Sequence, residues 1–364
     1  MQTAMSRQRA DRVPTMPQIC HSHAVHVLCD DYRRGIAEII ECPSRRYDLM
    51  LQIARHYDVD GLRLFVLPDP LHVQDDGKQL IASHPETGQR VGRVDTLGGG
   101  KVIPDQPIIV IENEDDVRKV KRTRCEDLFQ TDSFSHLTEA TAKAHKLGLF
   151  VASSPPGFTV NFLSDCRGRQ QALMDLVENP ELVNRVMDAA VVRAIEHARA
   201  LVQCGVDALY IGDPSSSSSL ISPRHFEEFC LPRFRLFCDE LHKLDVLIYI
   251  HICGNANPIL EMMADTGTDC VEPLDPLGGV EAADAARRIG HRVALMGGVN
   301  TLTLLQGSPQ QVYDESVACC RAAGGNGGYI LAAGDMVPDM APEENVFAMV
   351  RAAKDFSYQK RSVN

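Results

Sequence analysis

The sequence has 364 residues, of which 44% are hydrophobic and 24% charged, and its formal net charge is −12. A chain of this length and composition can bury a large core, and its acidic balance argues against nucleic-acid binding through phosphate neutralisation. No run approaches the ~20 apolar residues of a membrane span, and no signal-peptide segment opens the chain. The 12 cysteines lack a CxxC pair. We therefore expect a cytoplasmic protein with reduced thiols and no membrane partner.

The first part of the chain predicts a strand, two helices, a second strand and an inserted hairpin. Residues 80–94 alternate around a Pro-Glu-Thr-Gly turn, which is typical of a β-hairpin. In chain order we expect a flexible lead-in over 1–12, a strand over 13–20, helices over 24–40 and 44–57, a strand over 59–67 and the insertion after it.

A regular alternation of short apolar strands and amphipathic helices then continues to residue 356. The strands are predicted at 148–152, 208–211, 247–250, 270–274, 293–296 and 329–331, and the helices at 115–123, 136–147, 180–203, 223–243, 281–288, 309–323 and 342–356. Eight strands in this alternation predict an α/β fold of the (β/α)₈ TIM-barrel class over residues 13–356, with a C-terminal tail at 357–364. A doubly wound sheet would need a phosphate-binding glycine loop after the first strand, and the sequence has none there.

His251 and Cys253 stand directly after the apolar strand 247–250. Residues two apart on an extended backbone project from the same side, and the carboxyl ends of barrel strands are where barrel enzymes place their chemistry. The pair therefore predicts either two ligands of a soft metal ion or a thiol–imidazole pair.

Carboxylates also stand at the strands on either side of the one that precedes His251. Asp213 comes after the fourth strand and is a candidate to orient His251 or contact substrate, although it could instead cap the helix that follows. Glu272 belongs to the sixth strand and is a candidate metal ligand or general base, although its Glu-Pro-Leu-Asp-Pro context, which contains Asp275, could simply shape a turn.

Further polar side chains at strand ends are candidates for substrate contacts. His21 and His23 follow the first strand, and Asn255 and Asn300 follow the fifth and seventh. Either histidine could equally be an ordinary surface residue. Tyr210, which lies within a strand, is expected in the core.

Several motifs in this order resemble the uroporphyrinogen decarboxylase superfamily, and more closely its methyltransferase branch of methylcobamide:coenzyme M methyltransferases and related corrinoid-dependent demethylation enzymes. The resemblance covers roughly residues 10–355 and implies a TIM barrel that is often dimeric. Its motifs are Pro155-Pro-Gly-Phe-Thr159, Asp207-Ala-Leu-Tyr-Ile-Gly-Asp-Pro214, His251-Ile-Cys-Gly-Asn255, Met296-Gly-Gly-Val-Asn300 and the stretch from Pro338 to Asn345.

The methyltransferase branch implies a zinc site. In those proteins the His-x-Cys pair supplies two zinc ligands, a cysteine after the last strand supplies a third, and an open position accepts a thiol. His251 and Cys253 match this pattern, but Asp335 stands where the third cysteine is expected. Aspartate can bind zinc, so we expect either a His251, Cys253 and Asp335 site or an Asp335 that binds a substrate amine or hydroxyl.

The resemblance implies methyl transfer between a corrinoid carried by a partner protein and a small acceptor, namely a thiol such as coenzyme M, or tetrahydrofolate. Asp213, Glu272 and Asp335 would then be catalytic, and a homodimer is expected. Two alternatives remain. The first is a decarboxylase, although the arginines that hold porphyrinogen carboxylates in the true decarboxylases are replaced here by Cys20-His-Ser-His23. The second is a non-catalytic, ligand-binding barrel.

Overall fold

The computed structural model describes residues 1–96, 99–325 and 327–356, so the predicted tail at 357–364 lies outside the described residues. Eleven strands are present in this part of the chain. In chain order they are β1 (Gly61–Arg63), β2 (His72–Asp75), β3 (Leu80–Ser83), β4 (Arg90–Asp95), β5 (Lys101–Pro104), β6 (Phe150–Ser153), β7 (Ala208–Gly212), β8 (Leu247–His251), β9 (Cys270–Leu274), β10 (Ala294–Val299) and β11 (Tyr329–Ala333).

Sixteen α-helical segments lie in the same described ranges. They are α1 (Gln2–Met5), α2 (His21–Leu28), α3 (Tyr32–Glu41), α4 (Ser44–Tyr57), α5 (Cys125–Phe129), α6 (Asp132–Lys146), α7 (Val160–Arg167), α8 (Arg169–Glu178), α9 (Pro180–Gln203), α10 (Pro223–His225), α11 (Leu231–His242), α12 (Leu260–Ala264), α13 (Ala282–Arg288), α14 (Thr301–Gln306), α15 (Pro309–Gly324) and α16 (Glu343–Asp355). None of these helices is long and apolar enough to cross a membrane.

The molecule is a TIM barrel, as the alternation predicts. Seven parallel strands pair in the order β1, β6, β7, β8, β9, β10 and β11, with helices between them. Ile248 and Ile250 of β8 pack in the layer between the strands and the helices, whereas Tyr249 belongs to the cluster inside the barrel. The alternation of side chains along a strand thus places successive residues of β8 on opposite faces of the barrel wall.

The predicted first strand is not a regular strand. Its segment does occupy the gap between β11 and β1, because Thr15 and Gln18 form isolated parallel bridges with Leu331 and Met336, and the Asp60 N–H donates to the Thr15 carbonyl at 2.9 Å. Pro14 and Pro17 have no N–H to donate, so a continuous ladder cannot form here. The segment nevertheless takes the place of the eighth strand.

Part of the expected flexible lead-in is folded against the barrel. Helix α1 buries Ala4 and Met5, which are each 1% exposed. Both belong to the apolar cluster inside the barrel, together with Tyr249, Met296 and Ile330. The N-terminal residues therefore add to the core. Their helix has four residues, which is too short for an amphipathic pattern to be recognised in the sequence.

The inserted hairpin is confirmed and is larger than its sequence pattern predicts. β3 and β4 pair antiparallel around the predicted turn, where the Gly88 N–H donates to the His84 carbonyl at 2.9 Å. β2 and β5 extend this pair into a four-stranded sheet. The helix expected over 115–123 is instead a short 3₁₀ segment at Glu114–Lys119, followed by α5.

Candidate metal centre

His251, Cys253 and Asp335 come together at the carboxyl end of the barrel. His251 is the last residue of β8, Cys253 lies in the turn after it, and Asp335 follows β11. One potential ligand atom from each residue lies within 4.8 Å of the other two, and His251 Nε2 is 3.4 Å from Asp335 Oδ1. His251 is buried, whereas Cys253 and Asp335 are half-buried and reachable from the barrel mouth.

The local backbone explains this placement. Because Tyr249 points into the barrel, His251 does as well, two residues further along the same strand. The chain then turns at Gly254, whose φ of +79° favours glycine. A Cβ on Gly254 would also lie 2.9 Å from Ser219 Oγ, so the tight turn that carries Cys253 back over the mouth depends on this glycine.

A buried ion pair stands behind His251. Arg63 Nη2 lies 2.5 Å from both carboxylate oxygens of Glu272, and Glu272 Oε2 lies 3.2 Å from His251 Nδ1. Arg63 also donates from Nε to the Tyr249 hydroxyl at 2.9 Å. Burial raises the pKa of Glu272, but Arg63 and His251 more than offset this and hold that pKa below its usual range.

The charges around His251 favour its protonated form in the metal-free protein. Burial lowers the pKa of His251, but Tyr210, Glu272 and Asp335 raise it, and the net pKa lies well above the ordinary value. Burial also raises the pKa of Asp335, whereas the hydrogen bond with His251 and its charge lower that pKa below the ordinary value. A cation that replaced the proton on Nε2 would therefore meet an ionised carboxylate.

Asp213 lies near this centre but faces away from the His251 ring. Its N–H donates to the His251 carbonyl at 2.9 Å, while its carboxylate accepts hydrogen bonds from the Thr159 hydroxyl and from the Asn161 N–H. Burial raises the pKa of Asp213 to about 7. Asp213 therefore fastens the segment that begins α7 to the end of β7, and the contact expected between its carboxylate and His251 is made by Glu272 instead.

The four residues predicted to contact substrate do not line the cavity beside His251. His23 is buried, with Nε2 2.9 Å from the Tyr57 hydroxyl and Nδ1 3.0 Å from the Asp339 carbonyl. His21 begins α2, and Asn255 is exposed in the turn after β8. Asn300 caps α14 by accepting a hydrogen bond from the Leu302 N–H at 2.8 Å. The fold itself thus accounts for the contacts of His23 and Asn300.

A cavity of about 320 Å³ opens beside the centre. The residues that were not predicted as functional include Gln18, from the irregular eighth strand, and Tyr210, whose ring centroid is 5.6 Å from that of His251. The lining residues are Gln18, Ser154, Pro155, Pro156, Gly157, Asn161, Tyr210, Ile211, Gly212, Pro214, His251, Cys253, Asp335 and Met336.

The residues present fit a zinc ion. Imidazole nitrogen, thiolate sulfur and carboxylate oxygen are all zinc ligands, and three protein ligands leave a coordination position for a small molecule. His251 Nδ1 is buried without a well-directed hydrogen bond among the described residues, yet it lies beside Glu272. A carboxylate next to the second ring nitrogen is the usual support for a metal-bound histidine, so Nε2 is the nitrogen available to a metal ion.

Comparisons with known proteins show which proteins this chain is similar to. The family model for uroporphyrinogen decarboxylase (URO-D) matches residues 96–356. The methylcobamide:CoM methyltransferase MtaA of Methanosarcina barkeri is 32% identical over 181 residues, which cover 50% of this chain and 51% of the relative. A uroporphyrinogen decarboxylase of Trichodesmium erythraeum is 29% identical over 180 residues, which cover 49% of each chain. The chain thus spans about half the length of the curated relatives it matches.

Two solved structures share the fold. A methyltransferase from Methanosarcina mazei superposes with a TM-score of 0.68 at 24% identity and covers 97% of each chain. A B12-independent methionine synthase from Shewanella sp. W3-18-1 superposes with a TM-score of 0.51 at 10% identity, covering 94% of this chain and 96% of its own. At these identities the likeness concerns the fold alone.

Proposed function

The chain belongs to the uroporphyrinogen decarboxylase family, and within it we propose a metal-assisted methyltransferase that moves a methyl group between a corrinoid protein and a small acceptor. The observation that carries this proposal is the cluster of His251, Cys253 and Asp335 at the mouth of the barrel. The acceptor classes that we consider are small thiols, such as coenzyme M, and tetrahydrofolate. The relatives named as methylcobamide:CoM methyltransferases support the proposal of a methyl transfer that involves a corrinoid and a thiol.

In this proposal His251, Cys253 and Asp335 hold zinc, with Asp335 in place of a third cysteine. When bound, zinc would supply a Lewis acid that favours the thiolate form of a thiol acceptor. Glu272 orients the His251 ring through Nδ1, and Arg63 fixes Glu272 in turn. Tyr210 and Ile211 form part of the wall of the cavity in which the acceptor would bind.

The methyl donor is proposed to arrive on a separate corrinoid protein that docks over the carboxyl end of the barrel. The half-exposed Asp335 and Cys253 face this end, which is where a cofactor held by another protein could approach them. A demethylation system, in which another component methylates the corrinoid, would provide the donor, and the enzyme is proposed to act as a homodimer.

The two alternatives have less support. A porphyrinogen decarboxylase would need cationic side chains for several carboxylates, and no arginine is among the cavity-lining residues in the described part of the chain. A non-catalytic barrel would be favoured by a closed strand-end face or by an Asp335 that points away from His251. The cavity is open instead, and Asp335 lies 3.4 Å from His251.

The test combines metal analysis with methyl transfer. We expect one zinc per chain, and we expect the absorption of methylcobalamin to change to that of the demethylated corrinoid when protein and a thiol acceptor are added. His251→Ala should abolish both. The matched control is His72→Ala, because His72 is exposed on the inserted sheet and should change neither. Protein that transfers methyl groups at the wild-type rate without zinc, or with His251→Ala, would refute the metal-assisted mechanism.

A further inference from the structure

The cavity beside Cys253 bears on which acceptor this enzyme takes. We infer that the acceptor places an uncharged or cationic head group in this cavity, and not an anionic one such as the sulfonate of 2-mercaptoethanesulfonate. This inference rests on the proposed function, since it concerns the molecule that would bind at the His251, Cys253 and Asp335 site. It separates this chain from relatives whose names specify coenzyme M as acceptor.

The charges of the cavity lining support this inference. Among the residues that the structure describes, the lining contains no lysine and no arginine. The acidic residue of the lining is Asp335, which is one of the proposed metal ligands. The remaining polar side chains include the neutral amides of Gln18 and Asn161 and the hydroxyl of Ser154. These groups can bind a hydroxyl or an ammonium group, but they offer no counter-charge to an anion.

Arg63, which pairs with the Glu272 that stands beside His251, is not available to a ligand. Both oxygens of Glu272 bind Arg63 Nη2, and the Tyr249 hydroxyl accepts from Nε. Nη1 makes no hydrogen bond with the residues that the structure describes, but it is buried and out of reach of a ligand. The guanidinium carbon lies 4.0 Å from the ring centroid of Tyr210, so an aromatic residue of the cavity wall covers this cation. Its charge is neutralised by Glu272 within the wall.

An anionic head group would therefore lose its hydration without gaining a partner. Proteins bind sulfonate, phosphate and carboxylate groups through arginine or lysine because charge-assisted hydrogen bonds offset that loss. Among the lining residues that the structure describes, no arginine or lysine could play this part. A quaternary ammonium group of the same shape needs no such partner, and the ring of Tyr210 in the cavity wall is favourable to a cation.

Three thiols of nearly identical shape test this inference without any methyl transfer. They are thiocholine, 3,3-dimethylbutane-1-thiol and 2-mercaptoethanesulfonate, which carry a positive, a neutral and a negative head group. The protein is loaded with Co²⁺, and each thiol is titrated while the sulfur-to-cobalt charge-transfer absorption is recorded. We expect the positive and the neutral thiol to bind at least tenfold more tightly than the sulfonate.

The three thiols differ in their own thiol pKa values, and this difference is the same for every variant of the protein. Comparing the ratio of two thiol affinities between variants at Gln18 therefore removes its effect. Gln18→Arg adds a cation to the lining and should strengthen sulfonate binding at least tenfold relative to the neutral thiol, whereas the matched Gln18→Met should leave this ratio within about twofold of wild type. Tightest binding of the sulfonate to the wild-type protein would overturn the inference, as would a Co²⁺-loaded protein that binds none of the thiols. Failure to bind Co²⁺ at all would overturn the proposed function, on which this inference depends.

Discussion

Arg63→Met should destabilise the protein through the loss of the buried partner of Glu272. The side chains of Arg63 and Glu272 are only 5% and 1% exposed, and removing one member of such a pair costs about 3–5 kcal/mol. A second estimate follows if Glu272 takes up a proton in the variant. The gap of about 2.7 pH units between pH 7 and the ordinary glutamate pKa, at ~1.36 kcal/mol per unit, gives about 3.7 kcal/mol.

The pH dependence of this loss identifies its cause. In the wild type the pKa of Glu272 is lowered, so the stabilisation is present above the ordinary glutamate pKa and is lost as the pH falls. In the variant His251 alone opposes the effect of burial, so the pKa of Glu272 rises relative to the wild type and the penalty is greatest at high pH. The difference between the two proteins should thus shrink as the pH falls from 7 to 5, by up to about 1.4 kcal/mol per pH unit.

Urea unfolding followed by far-UV circular dichroism measures this difference, since the chain contains no tryptophan. The protein is first treated with a chelator, so that bound metal adds nothing to the stability. The surface pair of Arg33 and Asp75 supplies the control: Arg33→Met should cost about 0–1 kcal/mol. Arg63→Met combined with Glu272→Gln should recover much of the loss. A loss that is independent of pH, or below about 1 kcal/mol, would refute the reasoning.

Three further predictions concern the metal site, a buried acid and the N-terminal helix. Cys253→Ser should lower zinc affinity at least tenfold in a chelator competition, because a thiolate ligand is lost. Cys42 is exposed, so Cys42→Ser should have the zinc affinity of the wild type. Equal affinities of the two variants would exclude Cys253 as a ligand. Burial raises the pKa of Asp213 to about 7. The contribution of this protonated acid to stability is therefore complete below the ordinary aspartate pKa, and it is lost at about 1.4 kcal/mol per pH unit as the pH rises to about 7. Asp213→Asn should remove this slope from the urea midpoints, and an unchanged slope would contradict the assignment. Met5→Ala should cost about 2–5 kcal/mol in the same assay, whereas the exposed Gln2→Ala should be nearly neutral; similar midpoints for the two would show that α1 does not contribute to the core.

The sequence predicts those features that depend on neighbours along the chain. The strand 247–250 and its periodicity place His251 on the inner face, and a spacing of two residues places Cys253 with it. The helix boundaries at 180–203 and the hairpin around Gly88 follow from a proline, a glycine and a regular apolar pattern in the same way. In each case the physical cause lies within a dozen residues of the effect.

Pairings between distant residues could not be predicted in this way. Arg63 and Glu272 are separated by 209 positions, and nothing near either residue indicates its partner. One signal was present, because an arginine within the apolar strand around Arg63 must find a counter-charge if it is buried. That signal indicates an ion pair inside the barrel, but it does not identify which acid completes it.

Strand register explains why Glu272, and not Asp213, stands beside the ring of His251. In the parallel sheet His251 pairs with Gly212 on one side and with Glu272 on the other. Side chains at paired positions point to the same face of a sheet, so Glu272 shares the inner face with His251. Asp213 is one position beyond Gly212 and therefore points to the opposite face, where Thr159 and Asn161 bind it. A shift of one residue in the β7 register would bring Asp213 level with His251 and onto the same inner face, where Glu272 already stands. The identity of the acid that supports His251 is thus fixed by the pairing of β7, β8 and β9, and any variant that alters this pairing should change zinc affinity even if every proposed ligand is retained.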